Sequence, residues 1–422
     1  MTVAGDAHDP VSGLSHNHDQ TQPMVDVLII GAGPVGLLTA YRLRCLGLTC
    51  LVIEKRLEPS RASMASTFQP ATLDRLADLG LLSQLFPQGQ QVGLLRHLEL
   101  PSGQRRDLDF SCLQGHTQHP FRLHLEQQRL CALLLERMAQ LQPSAQPAVC
   151  WGQKLVTFGE NPAQDRDEPI EAWIVDSQQG MRPWKQRARW LVAADGAHSR
   201  VRDLLQLPFI GHDLPAPVLR LMLDQLPQTV SEQLAGLTYI RHPLGSLSAL
   251  RMRTHWRLIL RPTAAEIGPA LANDQWARQR LVQIFAEFSE SSAWQKLPMV
   301  LDHYFVSQRC VRVRQQGHCL LIGDAAHITN TRGGLNMNFG LLEGLDLAET
   351  LAASIYRDAG EQQRAVEIWA RRWQERTTAV LMPRTEKLLD GHNPFEPNQN
   401  KRDNGHHITL LRQACLLDLN QS

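Results

Sequence analysis

The residues Gly31-Ala32-Gly33-Pro34-Val35-Gly36 have the spacing G-x-G-x-x-G, and Glu54, followed by Lys55, stands 23 residues beyond Gly31. That combination suits a dinucleotide. Glycine at the first position permits a tight turn, at the second it lets the backbone approach a pyrophosphate, and at the third it allows close packing of helix on strand. A helix opening at Pro34 turns its unpaired N–H groups toward phosphate. A carboxylate about 20 residues further on can accept hydrogen bonds from ribose hydroxyls. FAD and NAD both satisfy this arrangement, whereas the carboxylate opposes the 2′-phosphate of NADP.

Two other carboxylates stand beside glycines at the ends of aliphatic runs. Trp190-Leu-Val-Ala-Ala-Asp195-Gly196 ends in a turn and leads to Ser199, and Cys319-Leu-Leu-Ile322 runs into Gly323-Asp324-Ala-Ala-His327. Asp324 suits a hydrogen bond to a polyol, and it equally suits an ordinary helix N-cap. Asp195-Gly196 likewise fits a plain strand-end turn. Downstream, Gly333-Gly334-Leu-Asn336-Met337-Asn338 has the form of a glycine-rich turn opening a helix, whose N–H groups favour negative charge.

Taken together, these segments resemble the group A flavoprotein aromatic hydroxylases, the para-hydroxybenzoate hydroxylase and phenol hydroxylase class. Similar flanks extend the resemblance to Arg61–Leu76, to Leu125–Leu130 with Gln127, and to Tyr304–Leu321, so that it spans most of residues 25 to 350. The resemblance implies FAD as the bound cofactor, with Gly31, Gly33, Pro34, Val35, Gly36, Glu54, Lys55, Gln127, Asp195, Asp324, Gly334, Asn336, Met337 and Asn338 around it. It implies that Asp324 meets the ribityl chain, and that Met337 and Asn338 offer backbone N–H groups to N1 and C2=O of the reduced isoalloxazine. Three positions depart from the family pattern. Met64 stands where relatives usually carry arginine before Ala-Ser-Thr-Phe, Thr331 where they usually carry proline, and Asn336 where they often carry glycine. Arg61 is near enough in sequence to substitute for the cation missing at Met64.

The elements that must position these residues can be read from periodicity. Val25–Ile30 reads as a strand buried on both faces, Pro34–Leu46 as a helix and Thr49–Ile53 as a second strand, a βαβ unit that starts a doubly wound parallel sheet. The fold class is therefore α/β, a Rossmann-like FAD-binding domain with a β-sheet-rich substrate domain and C-terminal helices. Residues 1–24 read as a polar tail. The nucleotide domain takes 25–210 and 305–350, with 85–125 contributing to the substrate side, the substrate domain takes 211–304, and 351–422 is a helical region. Leu341–Tyr356 has helical spacing that Gly360 can end, and Ala365–Leu389 reads as a long helix or a pair divided near Pro383. Glu160–Pro169 and Phe395–His407 read as surface loops.

Bulk properties narrow the function. Lysine plus arginine number 43 against 42 acidic residues in 422, a formal charge of +1 that gives no reason to expect nucleic acid or an acidic membrane as partner. No apolar run approaches the roughly 18 residues of a membrane span, and the first 24 residues cannot serve as a signal peptide. A cytoplasmic protein with reduced thiols follows, its eight cysteines scattered without a C-x-x-C pair. His16, His18 and Asp19 lack further ligands at metal-site spacing, so no metal is expected.

The resemblance implies a monooxygenase. NADH or NADPH reduces the flavin, O₂ forms a C4a-hydroperoxide, and one oxygen passes to a small aromatic or phenolic substrate. The nicotinamide donor should bind transiently, since there is no second G-x-G-x-x-G. Arg241, His242, Arg251 and Arg253 are candidates to meet an anionic substrate, although surface or hairpin charge is the better reading of each, and Trp256 reads as core. No catalytic base is evident. A reductase of the same fold and a non-catalytic FAD-binding scaffold are the alternatives.

Overall fold

The computed structural model describes residues 22–62, 64–141, 147–160, 170–177, 183–215, 217–263, 266, 274–387 and 404–421. The tail expected at 1–24 lies almost wholly outside the described residues, as do 161–169 of the expected loop. In chain order the elements that matter for function are β1 (Val25–Ile30), α1 (Pro34–Cys45), β2 (Cys50–Glu54), β3 (Leu94–Glu99), β4 (Gln104–Asp109), α2 (Gln127–Leu141), β5 (Val149–Trp151), β6 (Pro183–Ala193), β7 (Val218–Leu223), β8 (Leu237–His242), β9 (Gly245–Arg251), β10 (Trp256–Arg261), α3 (Asp274–Ile284), β11 (Val300–Tyr304), β12 (Cys319–Leu321), α4 (Asn336–Ser354), α5 (Ala359–Arg376), α6 (Met382–Lys387) and α7 (Asn404–Ala414).

Two sheets organise the chain. The first runs β12-β6-β1-β2-β5 in parallel, with the antiparallel hairpin Gln153–Glu160 and Ile170–Asp176 continuing from β6. Its central strand is almost wholly aliphatic because both faces are covered: Val27, Leu28 and Ile29 are fully buried, each contributing on the order of 2 kcal/mol. Helices α1 and α4 pack together on one face. They approach closely because α4 presents glycines there: a Cβ on Gly344 would lie 2.2 Å from Thr39 Oγ1, and one on Gly340 3.0 Å from Val35. The N-terminus of α4 is thereby held beside the turn that opens α1.

The second sheet has the order β11-β7-β10-β9-β8-β3-β4, antiparallel except where β8 runs alongside β3. Alternation gives it two different faces. Leu219, Leu221, Leu247, Ala249, Leu258 and Leu260 pack on one side with α3, and Trp256 belongs to this core as its composition suggests. Leu95, Val218, Leu237, Leu250 and Ile259 point to the other side and share a core with the helices of the first sheet. Register places Tyr239, Ser248, Ser246 and Arg261 on this second face.

The C-terminal helices depart from the expected boundaries. Gly360 lies in the first turn of α5, capped by Asp358, instead of ending α4. The division expected near Pro383 is present: a π-helical turn, Thr377–Leu381, leads into α6, whose second residue is Pro383. A proline without an N–H cannot continue the i→i−4 ladder, so it falls at a helix start. Residues 404–407, expected in a loop, begin α7. All eight cysteines are free thiols. Among the described residues no helix is long and apolar enough to cross a membrane.

Candidate active site

Strand register gathers residues far apart in sequence along one edge of the first sheet. Ile30 pairs with Ile53 on one side and Ala193 on the other, and Ala193 pairs with Leu321. The residues just beyond these rungs are the glycine turn after β1, Glu54 at the end of β2, Asp195 after β6 and Asp324 after β12. Across the strand order β12-β6-β1-β2 the carboxyl ends thus present Asp324, Asp195, the glycine turn and Glu54 side by side, the position where open α/β sheets bind ligands.

The three glycines of the turn stand in different surroundings. Gly31 has φ +108°, and a Cβ there would lie 2.3 Å from the Ala194 carbonyl oxygen. A Cβ on Gly36 would lie 2.1 Å from the Gly31 carbonyl oxygen. At Gly33 a Cβ would meet nothing within 4 Å, so the space over the middle of the turn is open. Behind it Ala32 N–H donates to Glu54 Oε2 (2.8 Å), and Arg56 donates to Oε1 from its backbone and from Nε, both at 3.0 Å. Burial alone would push the Glu54 carboxyl up, but the Arg56 and Ala32 hydrogen bonds outweigh it and hold the group below its ordinary range. Pro34 and Val35 are half-buried, with Val35 against Gly323 and Gly340, and Lys55 is exposed.

Asp195 caps the short helix Arg200–Leu204, its Oδ2 accepting from Arg200 N–H at 2.7 Å and Val201 N–H at 3.3 Å. Its Oδ1 is buried and meets no hydrogen-bond donor among the described residues. Burial pushes its carboxyl up against the pull of Ser199 and those backbone groups. Asp324 keeps a solvent-accessible side but is densely surrounded by protein, which pushes its carboxyl up to about 6 against the pull of Asn336. Open space over Gly33, an unsatisfied acceptor on Asp195 and carboxylates on either hand fit a dinucleotide with hydroxyls to donate and phosphates to seat.

Asn336 connects this edge to a buried polar chain. Its Nδ2 donates to Asp324 Oδ1 (2.8 Å), and its amide oxygen meets His327 Nδ1 at 2.8 Å. The other ring nitrogen meets Glu343 Oε2 at 3.1 Å, where Gly323 N–H also donates (2.8 Å). Glu343 pairs with Arg314, which donates in turn to Thr377 in the π-helical turn. Burial, then Arg314, pushes His327 down to about 3, against the hydrogen bond to Asn336.

The glycine pair 333–334 is fixed by a second set of bonds. Both residues have positive φ, +80° and +63°. Asn338, fully buried, donates to the carbonyls of Thr67 and Gly334, both at 2.8 Å, and accepts from Gln69 N–H at 2.9 Å. Its side chain is occupied as a clamp, leaving its backbone N–H, with those of Asn336 and Met337, ahead of the first bond of α4 from Phe339 N–H to the Leu335 carbonyl (2.9 Å). Met337 packs against the core. Gln127 opens α2, its N–H donating to the Ala65 carbonyl at 3.1 Å.

At the departures from the family pattern, Met64 is exposed, and Arg61 is paired with Glu58 (3.3 Å) on an exposed surface. Arg257, buried in β10, donates to the Met64 carbonyl (2.9 Å) and the Ser66 hydroxyl (2.6 Å) and pairs with Glu126. Thr331 accepts from Tyr304 Oη at 3.3 Å.

On the second sheet, Arg332 donates to Ser246 Oγ (3.3 Å) and Arg261 to Ser248 Oγ (3.1 Å). Neither arginine stands out in the sequence, because its neighbours are set by β pairing. Of the residues that do stand out, Arg253 is exposed and Arg251 lies over Trp256. An open depression of about 380 Å³ lined by Arg251, Trp256, Asp224 and Leu226 sits at the opposite end of β9 and β10 from Ser246 and Arg261, away from the four strand ends.

Comparison with known proteins gives four concordant findings. The family model described as "FAD binding domain" matches residues 24–365. The chain is 28% identical over 338 residues to para-nitrophenol 4-monooxygenase of Pseudomonas sp. strain WBC-3, covering 79% of each chain. It is 26% identical over 393 residues to 6-hydroxy-3-succinoylpyridine 3-monooxygenase of Pseudomonas putida strain S16, covering 89% of this chain and 91% of the relative. The crystal structure of p-nitrophenol 4-monooxygenase from Pseudomonas putida DLL-E4 superposes with a TM-score of 0.76 at 23% identity, covering 94% of this chain and 97% of that one, which shows a shared fold.

Proposed function

The chain belongs to the FAD binding domain family, as an FAD-dependent monooxygenase of the aromatic hydroxylase class, and from that premise we propose that it hydroxylates a small aromatic or phenolic substrate with NAD(P)H and O₂ in the cytoplasm. The observation that carries the residue-level reading is the alignment of Asp324, Asp195, the glycine turn and Glu54 at the carboxyl ends of four adjacent parallel strands. In this reading the open space over Gly33 seats the pyrophosphate, Glu54 accepts from a ribose, Asp195 Oδ1 accepts at the middle of the cofactor, and Asp324 accepts from the ribityl chain.

Bound flavin supplies hydride acceptance and oxygen activation. The protein's part is placement. The N–H groups at the start of α4 would stabilise negative charge on the bound flavin, and the second sheet would help keep water from the substrate. Gln69, whose Nε2 donates to the Gly333 carbonyl at 2.8 Å, and Asn338 hold the loop at 333–334 in place.

The test is to follow NADH and NADPH oxidation by the FAD-loaded protein while phenols are added. Slow oxidation alone and a marked acceleration by particular aromatics supports the reading. Oxidation that no aromatic accelerates would contradict it.

A further inference from the structure

Resting on the reading that Asp324 faces the cofactor, we propose that Asn336 is the residue that positions it. One amide gives a donor to Asp324 and an acceptor to His327, and so holds the Asp324 carboxylate ready for a hydroxyl of FAD. Among the described residues Asn336 is the one hydrogen-bond partner of the Asp324 side chain, its Nδ2 donating to Oδ1 at 2.8 Å. The same nitrogen reaches the His327 carbonyl at 3.4 Å, and the amide oxygen meets His327 Nδ1 at 2.8 Å. Asp324 and His327 both follow β12, and Asn336 opens α4, so the amide ties the two elements together.

The orientation of the amide is fixed from both ends. An amide oxygen only accepts, so His327 Nδ1 carries the proton that meets it, and turning the amide over would set its oxygen against the Asp324 carboxylate. The ring is itself held. It is fully buried, stands edge-on to Phe339 with centroids 5.1 Å apart, and its Nε2 meets Glu343 Oε2 at 3.1 Å. Glu343 is fixed in turn by the Gly323 N–H (2.8 Å) and by Arg314, which donates to Thr377 in the π-helical turn. The backbone of His327 pairs with Cys310 across a short antiparallel ladder. Asn336 thus passes the rigidity of the interior to a carboxylate that keeps an accessible side.

Few side chains of this size do both jobs. Aspartate offers two acceptors, leucine neither donor nor acceptor, and glycine leaves Asp324 without its partner. Burial raises the Asp324 carboxyl to about 6, and the Asn336 hydrogen bond acts against that rise. The charged groups around it are Asp195 at the neighbouring strand end, Arg202, which donates to the Ala325 carbonyl at 3.2 Å, and, beyond Asn336, His327, Glu343 and Arg314. Asn336 is therefore a positioning residue, acting on FAD through Asp324.

The experiment strips the full chain of FAD and titrates FAD back over a pH series, following flavin fluorescence, with a thermal melt to check that each variant is folded. At about pH 8 Asn336→Ala should bind FAD about tenfold more weakly than the parent, and the acid-side midpoint of its profile should rise above about 6. Added to Asp324→Ala, it should cost less than about twofold more, since the residue it acts through is gone. Asn336→Asp keeps the shape and the acceptor for His327 but sets two carboxyls in contact, which share one proton. While that proton is held, the new carboxyl donates to Asp324 as the amide did, and once it is lost the two repel. FAD affinity of this variant should therefore fall by about tenfold as pH rises from about 6 to about 9, where the parent stays level. Asn336→Asp is isosteric and carries the test by itself should Asn336→Ala not fold. The parent's affinity and midpoint in Asn336→Ala, losses that add in the double variant, or a level profile for Asn336→Asp would overturn the proposal while Asp324→Ala still weakens FAD binding. If Asp324→Ala binds FAD as the parent does at every pH, the reading of Asp324 itself fails, and this inference with it.

Discussion

The turn at 31–36 and the row Tyr239, Ser248, Ser246 and Arg261 are assembled differently. The turn is six consecutive residues whose geometry is settled by a strand, three glycines and a helix start. The row draws one or two residues from each of β8, β9 and β10 and is completed by Arg332 from a loop. A local device binds what is common to many enzymes, the phosphates of a nucleotide, whereas a device spread over a sheet can change its ligand one side chain at a time.

The largest expected effect separates fold from function within the turn itself. Gly33→Val meets open space and an ordinary backbone at φ −74°, so the protein should fold with an unchanged Tm yet lose FAD affinity by at least about 100-fold, read by fluorescence titration. Gly36→Ala puts a Cβ at 2.1 Å from the Gly31 carbonyl and should cost several kcal/mol of stability, seen as loss of folded protein or a lower Tm. Equal effects of the two substitutions would erase the distinction.

Next in size is the clamp. Asn338→Ala strands the Gln69 N–H and the carbonyls of Thr67 and Gly334, and should destabilise the protein by about 3 kcal/mol in urea unfolding. The same substitution should also lower FAD affinity, because the loop at 333–334 loses its anchor.

These two predictions mark how far the sequence was informative. Val25–Ile30, Pro34–Cys45 and Cys50–Glu54 were legible within a residue or two because a strand buried on both faces and a glycine-started helix leave local patterns. Asp195 and Asp324 were legible because each follows an aliphatic strand. Arg257, Arg261 and Arg332 were not, since an arginine in an alternating strand or a polar loop is indistinguishable from surface charge until register decides which face it occupies. Asn338 was picked out, but its side-chain role depends on bonds to residues about 270 positions away in sequence.

A smaller effect concerns pH. If the carboxylate of Asp324 accepts from the cofactor, protonation competes with binding, so FAD affinity should be level above about 6 and fall by up to tenfold per pH unit below it. The linked sign for the FAD-free protein is opposite: a raised carboxyl pKa means the contribution of Asp324 to stability is greatest at low pH and is lost as pH rises from about 4 to about 6. Asp324→Asn should flatten the affinity profile in that range.

The smallest effect is expected at Met64. Because that side chain is exposed, Met64→Arg should change FAD affinity by less than about fivefold, the range of a solvent-screened charge. A large gain would show that a cation at this position remains needed.

The central claim is that the chain inserts one atom of O₂ into an aromatic substrate while oxidising NAD(P)H. It is tested most directly by supplying ¹⁸O₂ to the FAD-loaded protein with NADH or NADPH and the aromatics that accelerate their oxidation, and analysing products by mass spectrometry. The account predicts a product heavier by a single ¹⁸O, formed only when aromatic and reduced nicotinamide are both present, with some O₂ lost as hydrogen peroxide on simple phenols because Thr331 and Asn336 alter the surroundings of the ring. Oxidised NAD(P)H accompanied by hydrogen peroxide alone for every aromatic, or by a reduced product without ¹⁸O, would contradict it.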